Sequence, residues 1–207
     1  MIDYGVTCRP MPGEAESGDM HLVREWPGRA LIAVVDGLGH GPEAAVAARA
    51  AIETIEANAR EAIGALVRRC HQRLRPTRGV VLNIALIDFL KENVTWLGVG
   101  NILGLLVHAG PDFGDRQTFL VSRGGVVGQH LPSVQTVTLP IIPGDTLIFA
   151  TDGVSQEFSQ ALGPAAGPQE MADQILRDHA VDTDDALVLV VRYRGGAGEP
   201  GPATLLR

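Results

Sequence analysis

Continuous apolar runs of strand length dominate the hydrophobic pattern of this chain. Ala30–Val35 and Leu147–Ala150 contain no polar position, and such runs are typical of buried strands. The first run leads directly into Asp36-Gly37 and the second, through Thr151, into Asp152-Gly153. Three glycines between positions 36 and 41 let the backbone turn tightly beside the first carboxylate. The pattern therefore predicts two aspartates at strand ends, a placement that indicates chemistry rather than packing.

The remaining pattern predicts further strands and three helices. Apolar residues recur at helical spacing from Pro42 to Ala59, and Pro42 suits a first helical turn. Two more helices are predicted over Glu61–Leu74 and Gln169–His179. The predicted strands are Ile2–Cys8, Met20–Trp26, Ala30–Val35, Val80–Phe89, Val94–Val99, Leu103–His108, Thr118–Arg123, Gln135–Leu139, Thr146–Ala150 and Ala186–Tyr193.

The order of these elements indicates the α+β class. Strands and helices are segregated along the chain and do not alternate as they do in a parallel α/β sheet. A turn at Pro27-Gly28 joins the second and third strands into a hairpin that carries Asp19 at one extremity and Asp36 at the other. With nine or so strands, we expect two packed antiparallel sheets with the helices outside.

The 207 residues suffice for one ordinary domain with a substantial core. Because aromatic residues make up only 4% of the chain, Leu, Ile, Val and Ala must fill that core. We expect a single domain over residues 1–194. Residues 195–207, which are rich in Gly and Pro, are expected to form a flexible C-terminal tail.

The formal net charge of -7 argues against nonspecific binding to nucleic acids or anionic membranes. No apolar run approaches the roughly 18–20 residues of a membrane span. We therefore expect a cytoplasmic, soluble protein and a monomer. Cys8 and Cys70 are predicted to be free, buried thiols, since two distant cysteines do not indicate a disulfide framework.

Four aspartates stand at junctions between a loop and an apolar strand: Asp19, Asp36, Asp152 and Asp184. Hard oxygen ligands of this kind suit Mg²⁺ or Mn²⁺, and the chain has no Cys/His cluster of zinc-binding spacing. Taken singly, each aspartate also fits a turn or a helix cap. Sequence spacing alone leaves open whether the four meet in space.

The ordered set of motifs around these aspartates resembles the metal-dependent PPM-type serine/threonine protein phosphatases. The motifs are SGD at 17–19, DGLGHG at 36–41, ATDGV at 150–154 and TDDALVLVV at 183–191. The similarity is to the bacterial branch that includes the SpoIIE, RsbU and RsbX phosphatases. The DGLGHG form, GVGNI at 98–102 and PGDTL at 143–147 are most similar to the RsbX type.

This resemblance implies an α-β-β-α sandwich with two Mn²⁺ or Mg²⁺ ions at one end. Asp36 would bridge both ions and the Gly37 carbonyl would bind one, while Asp152 and Asp184 would hold the other. Asp19 matches the first acidic motif. A metal-activated water would attack phosphorus directly, with Asp36 and Asp152 central to catalysis. The expected substrates are phosphorylated STAS-domain proteins of a stressosome-type module.

Four further residues are weaker candidates. Leu38 occupies the place of the histidine proposed as a general acid in eukaryotic members, so His40 is considered instead, although a structural role fits it better. Arg9 is the nearest match to their phosphate-binding arginine. Asp185 could add a ligand, and Asn101 could approach the substrate.

Two other functions stay open at this point. A noncatalytic PPM-like docking module would lack some of the aspartates, yet all four are present. An ATP-binding module of the histidine-kinase type is suggested by the Asp-x-Gly-x-Gly spacing within residues 36–41. That nucleotide box should follow a helix, whereas a strand hairpin is predicted before Asp36.

Overall fold

The computed structural model describes residues 1–110, 116–163 and 167–196. The described chain forms ten strands, three α-helices and a short 3₁₀ helix at Gln156–Gln160. The strands are β1 (Ile2–Arg9), β2 (Asp19–Trp26), β3 (Arg29–Gly37), β4 (Val80–Asp88), β5 (Asn93–Val99), β6 (Leu103–Val107), β7 (Gln117–Leu120), β8 (Val137–Pro140), β9 (Thr146–Ala150) and β10 (Ala186–Tyr193). The helices are α1 (Pro42–Ala57), α2 (Ile63–Leu74) and α3 (Pro168–His179).

The strands form two five-stranded antiparallel sheets that pack face to face. One sheet has the order β1-β10-β9-β6-β7, and the other has the order β2-β3-β4-β5-β8. Helices α1 and α2 cover the outer face of the β3 sheet, and α3 covers the outer face of the β10 sheet. The predicted α+β sandwich with helices outside is confirmed.

Packing on both faces of strand β3 explains why its sequence is continuously apolar. Ala30, Ile32 and Val34 face the core between the two sheets. Leu31, Ala33 and Val35, which alternate with them, pack against α1 and α2. All six side chains are fully buried because the strand is covered on both faces. The end of β3, where Asp36 lies, is therefore held rigidly by two layers of packing.

Strand β10 has the same double burial in the other sheet. Leu187 and Leu189 face the core between the sheets. Val188 and Val190 pack against α3 and its surroundings. The residues that precede this strand, Asp184 and Asp185, are consequently fixed relative to the sandwich.

A few local predictions differ from the structure. Helix α2 begins at Ile63 rather than Glu61, since Ala62 is in an extended conformation and Glu61 lies in a turn closed on the Asn58 carbonyl. The prediction of a buried thiol is wrong for Cys8, which is exposed on β1, at the edge of its sheet.

Other predictions are met only in part by the described residues. Cys70 is buried as expected, and burial raises the pKa of its thiol to about 12. Most of the expected tail, residues 197–207, lies outside the described residues. No helix in the described ranges is long and apolar enough to cross a bilayer.

Helix α3 packs so closely on β1 that Gly5 leaves no space for a side chain. A Cβ atom at Gly5 would lie 2.2 Å from the Gln169 Cα. The Gln169 side chain also accepts a hydrogen bond from the Val6 N–H and donates one to the Val6 carbonyl, each at 3.0 Å. Close backbone approach and these two bonds therefore dock α3 on the sheet.

We expect Gly5→Ala to lower the free energy of unfolding by about 1–3 kcal/mol, because the added methyl must displace the α3 backbone. Urea unfolding followed by circular dichroism measures the change. Gly124→Ala is the matched control, because a Cβ there meets no atom within 4 Å. Equal stability of the two variants would contradict this account of the β1–α3 contact.

Candidate metal centre

Asp19 and Asp36 lie directly opposite each other at the open end of the β2–β3 hairpin. The two residues are partners in the antiparallel register. The adjacent Gly37 N–H donates to the Gly18 carbonyl at 3.0 Å, which continues the pairing past the strand ends. Asp19 is only 5% exposed. The hairpin thus brings two carboxylates to one edge of the sheet.

The turn that follows Asp36 depends on its glycines. A Cβ at Gly37 would lie 2.2 Å from the Ala44 carbonyl oxygen in the first turns of α1. Gly39 and Gly41 have φ angles of 82° and 75°, in the left-handed region that favours glycine. Helix α1 then begins at Pro42. The turn from Asp36 to Gly41 is therefore compact and packed against the helix that it starts.

The second Asp-Gly pair lies against the start of β10. A Cβ at Gly153 would lie 2.0 Å from the Asp185 carbonyl oxygen. The neighbouring Thr151 hydroxyl donates to Asp19 Oδ2 at 2.7 Å and accepts from the Leu187 N–H at 2.8 Å. Thr151 thereby connects the loop after β9 to β10 and to the first carboxylate.

Asp185 is a buried carboxylate that holds the loop before Asp19. It is 2% exposed, and it accepts hydrogen bonds from the backbone N–H groups of Met11 and Gly18, each at 2.7 Å. Its two oxygen atoms thus each serve a different part of the loop. The structure gives this residue a positioning role in the loop that leads to Asp19.

Asp152 and Asp184 are more accessible than Asp19. Asp152 is exposed, and its Oδ2 accepts a hydrogen bond from the Asn101 side-chain amide at 2.8 Å. Asp184 is partly buried, and its Oδ1 accepts the N–H of Asp185 at 2.8 Å. Asn101 therefore contacts a candidate ligand, whereas the sequence suggested only that Asn101 could approach the substrate.

The aspartates are close enough to perturb one another electrostatically. Burial, followed by repulsion from the other aspartates, raises the pKa of Asp36 to about 9. Burial is also the main cause that raises the pKa of Asp19 to about 8; the hydrogen bond from Thr151 opposes this rise, and repulsion from Asp185, Asp152 and Asp184 adds to it. Burial and the neighbouring carboxylates likewise raise the pKa of Asp184.

Such a set of carboxylates fits hard divalent cations. Bound cations would relieve the mutual repulsion that raises these pKa values, and oxygen donors are the ligands that Mg²⁺ and Mn²⁺ prefer. In the described part of the chain, no three His, Cys, Asp or Glu side chains are arranged tightly enough to enclose an ion. Asp19, Asp152, Asp184 and Asp185 instead accept hydrogen bonds from protein donors.

Two weaker candidates are held by their own partners. His40 Nδ1 lies 2.7 Å from Glu14 Oε1, and the ring is exposed. Arg9 donates to the Val181 carbonyl at 3.0 Å and to Asp182 Oδ1 at 2.9 Å. Arg9 thus contacts the loop that leads to Asp184, while His40 contacts the loop that leads to Asp19.

The two-sheet sandwich covered by helices, with aspartates gathered at one edge, is the architecture of the metal-dependent PPM phosphatases. Sequence comparison gives the same answer, since the family described as Stage II sporulation protein E (SpoIIE) matches residues 27–194. The chain belongs to the SpoIIE family. It is an enzyme, a protein serine/threonine phosphatase of the RsbX and SpoIIE type.

Individual relatives agree with this assignment. Phosphoserine phosphatase RsbX of Bacillus subtilis (strain 168) is 26% identical over 144 residues, which cover 69% of this chain and 70% of that protein. RsbX in complex with magnesium superposes with a TM-score of 0.82 at 23% identity, covering 92% of this chain and 94% of that one.

A further solved structure is described as the bacterial stressosome, a modular system adapted to control secondary messenger signalling. One of its chains is 27% identical to this one and superposes with a TM-score of 0.84. The match covers 93% of this chain and 100% of that chain.

The fold and the family decide between the functions left open by the sequence. The hypothesis of a histidine-kinase-type ATP-binding module is wrong, because Asp36 ends a strand of a PPM sandwich. The hypothesis of a noncatalytic module also fails, because the chain is a phosphatase with its aspartates intact.

Sequence reasoning missed the role of Thr151 in this region. Its position between an apolar run and Asp152 gave no sign that its hydroxyl reaches Asp19, 132 residues earlier in the chain. For the positioning role of Asp185, the available signal was the pair of adjacent aspartates at 184 and 185. A second acid that is buried there needs hydrogen-bond donors of its own.

We expect the metal-free protein to lose stability as the pH rises from about 4 to about 9. Asp19 and Asp36 bind protons more tightly in the folded chain than in the unfolded one, where the pKa of Asp is about 4. The folded state therefore carries more protons across this range, and its free energy of unfolding falls with increasing pH. Urea unfolding in EDTA at about pH 5 and about pH 8 measures the slope.

Addition of Mn²⁺ at the higher pH should restore much of the lost stability, because a cation replaces the protons. Asp36→Asn in EDTA should show a smaller dependence on pH than the wild type. A wild-type protein whose stability rises with pH in EDTA would refute the picture of mutually repelling buried carboxylates.

Asp185→Ala should lower the free energy of unfolding by about 2–3 kcal/mol, because it leaves the buried N–H of Gly18 and the partly buried N–H of Met11 without their charged acceptor. Chemical denaturation measures the loss. Asp182→Ala serves as the control, since that carboxylate is exposed and its ion pair with Arg9 contributes about 1 kcal/mol at most. If both variants lose the same stability, Asp185 does not organise the loop before Asp19.

Proposed function

We propose that this phosphatase removes phosphate from serine or threonine of phosphorylated STAS-domain proteins in a stressosome-type signalling module, with two Mn²⁺ or Mg²⁺ ions as cofactors. The observation that carries the metal-dependent part is the meeting of Asp19 and Asp36 across the β2–β3 hairpin, beside the loops of Asp152 and Asp184. The substrate class is supported by the relatives named for RsbX and for the stressosome.

In this proposal the ions are held by the carboxylates of Asp19, Asp36, Asp152 and Asp184 and by the Gly37 carbonyl. When bound, divalent cations supply Lewis acidity and an acidified water for attack on phosphorus. Asp36, which is partly buried at the end of β3, would contribute its carboxylate to this set of ligands. The close contact of Gly37 with Ala44 fixes the direction of the neighbouring backbone.

Protein donors orient these candidate ligands. The Thr151 hydroxyl orients one oxygen of Asp19 by donating a hydrogen bond to it. The Asn101 side-chain amide orients one oxygen of Asp152 in the same way. Asp185 keeps the loop before Asp19 in place through two backbone N–H groups. Partners of this kind outside the ligand shell typically change metal affinity by about 10–100-fold when they are removed.

A small aryl phosphate such as para-nitrophenyl phosphate tests the metal-dependent reaction separately from substrate choice. We expect hydrolysis with Mn²⁺ and its loss with EDTA. Asp152→Asn should lower kcat/KM by about 100-fold, because it removes a charged ligand, a loss of about 3 kcal/mol. Asp178→Asn, at an exposed position on α3, should retain wild-type activity. Metal-independent hydrolysis, or full activity of Asp152→Asn, would overturn the proposed centre.

The proposed substrate class needs a separate assay with a phosphorylated STAS-domain protein. Phosphate loss from its serine or threonine, followed by mass spectrometry, should require Mn²⁺ or Mg²⁺ and intact Asp152. If aryl phosphate is hydrolysed but the phosphorylated STAS protein is not, the substrate proposal fails while the metal-dependent reaction stands.

A further inference from the structure

A surface groove lies beside the turn that carries Asp36. It is formed by the start of α1 and the loop between α2 and β4, and it has a volume of about 490 Å³. Its lining residues are Pro42, Glu43, Val46, Pro76, Thr77 and Arg78. We refer to it as the Val46 groove. Its volume lies within the range of sites that bind small molecules or peptide side chains.

The Val46 groove combines an apolar wall with an ion pair between Arg78 and Glu43. Pro42, Val46 and Pro76 supply the apolar surface, and Val46 is 59% exposed. A single exposed valine is common on protein surfaces and carries no meaning alone. Here it lines the same groove as two prolines and the half-exposed guanidinium of Arg78. The groove is therefore suited to an aliphatic side chain with an acidic neighbour.

The groove shares a wall with the candidate metal centre. Pro42 directly follows the turn from Asp36 to Gly41, and the Leu38 N–H donates to the Gly79 carbonyl at 3.1 Å. A Cβ at Gly39 would lie 2.9 Å from Arg78 Nη1, so the guanidinium contacts this turn. The groove therefore adjoins the turn that carries Asp36.

Arg78 is paired with Glu43 in the free enzyme. A guanidinium has five N–H donors, so it can bind a second carboxylate while Glu43 stays in place. The metal-centre edge otherwise carries mainly carboxylates, with Asp19, Asp36, Asp152 and Asp184 near one another. Arg78 thus provides positive charge for a substrate beside an edge that is rich in carboxylates.

We propose that the Val46 groove binds the polypeptide that flanks the phosphorylated residue and thereby selects the protein substrate. An aliphatic side chain packs against Pro42, Val46 and Pro76, and an acidic side chain binds Arg78. This inference rests on the proposed function, because it takes the centre beside the groove to be the place where phosphate is removed.

Three phosphoserine peptides of equal length test the groove. In the first peptide, leucine and glutamate both occur on each side of the phosphoserine. The second peptide has alanine in place of every leucine and glutamate. The third keeps leucine but has lysine in place of glutamate. We expect wild-type kcat/KM to be about tenfold higher for the first peptide than for the second, because apolar burial and a charge-assisted hydrogen bond both favour it. We expect kcat/KM to be lower for the third peptide than for the first, although both contain leucine.

Two variants change these preferences in separate ways. Val46→Ser should reduce the advantage of leucine over alanine by about threefold or more, because it removes apolar contact area. Arg78→Glu should reverse the preference between the glutamate and lysine peptides, because it inverts the charge of the groove. Each preference is a ratio within one variant, so a general loss of activity does not obscure it.

Val137→Ser and Arg73→Glu are matched controls, because both residues are exposed and lie outside the groove. They should retain the wild-type ratios and the wild-type rate with aryl phosphate. If the wild-type enzyme hydrolyses aryl phosphate but gives the same kcat/KM for all three peptides, the proposal for the groove is wrong while the proposed function stands. Unchanged peptide preferences in both groove variants would have the same meaning. Failure to hydrolyse either aryl phosphate or peptides overturns the proposed function as well.

Sedimentation velocity of the wild type and Val46→Ser distinguishes a different occupant of the groove. We expect the same sedimentation coefficient for both proteins across concentrations. A concentration-dependent dimer that Val46→Ser abolishes would mean that a second copy of this chain binds the groove, and it would overturn the assignment to substrate.

Discussion

Repulsion among aspartates at one edge of the sandwich is the constraint on which the rest of the structure depends. Strand register places Asp19 opposite Asp36, and Asp184 and Asp185 lie directly before β10. Buried like charges are unfavourable unless protons, cations or hydrogen-bond donors compensate them. The fold must therefore hold these residues together against their own electrostatics.

The sandwich provides this force through strands that are buried on both faces. The side chains of β3 alternate between the core between the sheets and the core beneath α1 and α2, so the strand cannot shift without exposing one set. Strand β10 is fixed in the same way by α3. The packing free energy of these three cores maintains an arrangement of carboxylates that would separate in a looser fold.

Much of this arrangement could be predicted from sequence because its signals are local. The apolar runs before Asp36 and Asp152, the glycines after them and the Pro27-Gly28 turn each act within a few residues. The links between Thr151 and Asp19 and between Asp185 and Gly18 could not be predicted. Both join residues more than 130 positions apart, and they follow from how the two sheets pack.

The start of α2 and the exposure of Cys8 could not be predicted either, each for its own reason. Glu61 is compatible with a helix, but the backbone at Ala62 turns to an extended conformation before the helix begins. Cys8 was expected to be buried because free cysteines usually are, yet β1 forms the edge of its sheet and that side chain is exposed. Position within a sheet depends on pairing with distant strands, which single-strand patterns do not encode.

The composition of α1 explains how the turn at Asp36 is held. Its buried face is made almost entirely of alanine, which lets the helix approach the β3 sheet closely: Ala44, Ala45, Ala47, Ala48 and Ala51. The Ala44 backbone approaches Gly37 so closely that no side chain fits at position 37. Larger side chains on this face would move α1 outward, and Gly37 and the groove wall at Pro42 and Val46 would move with it.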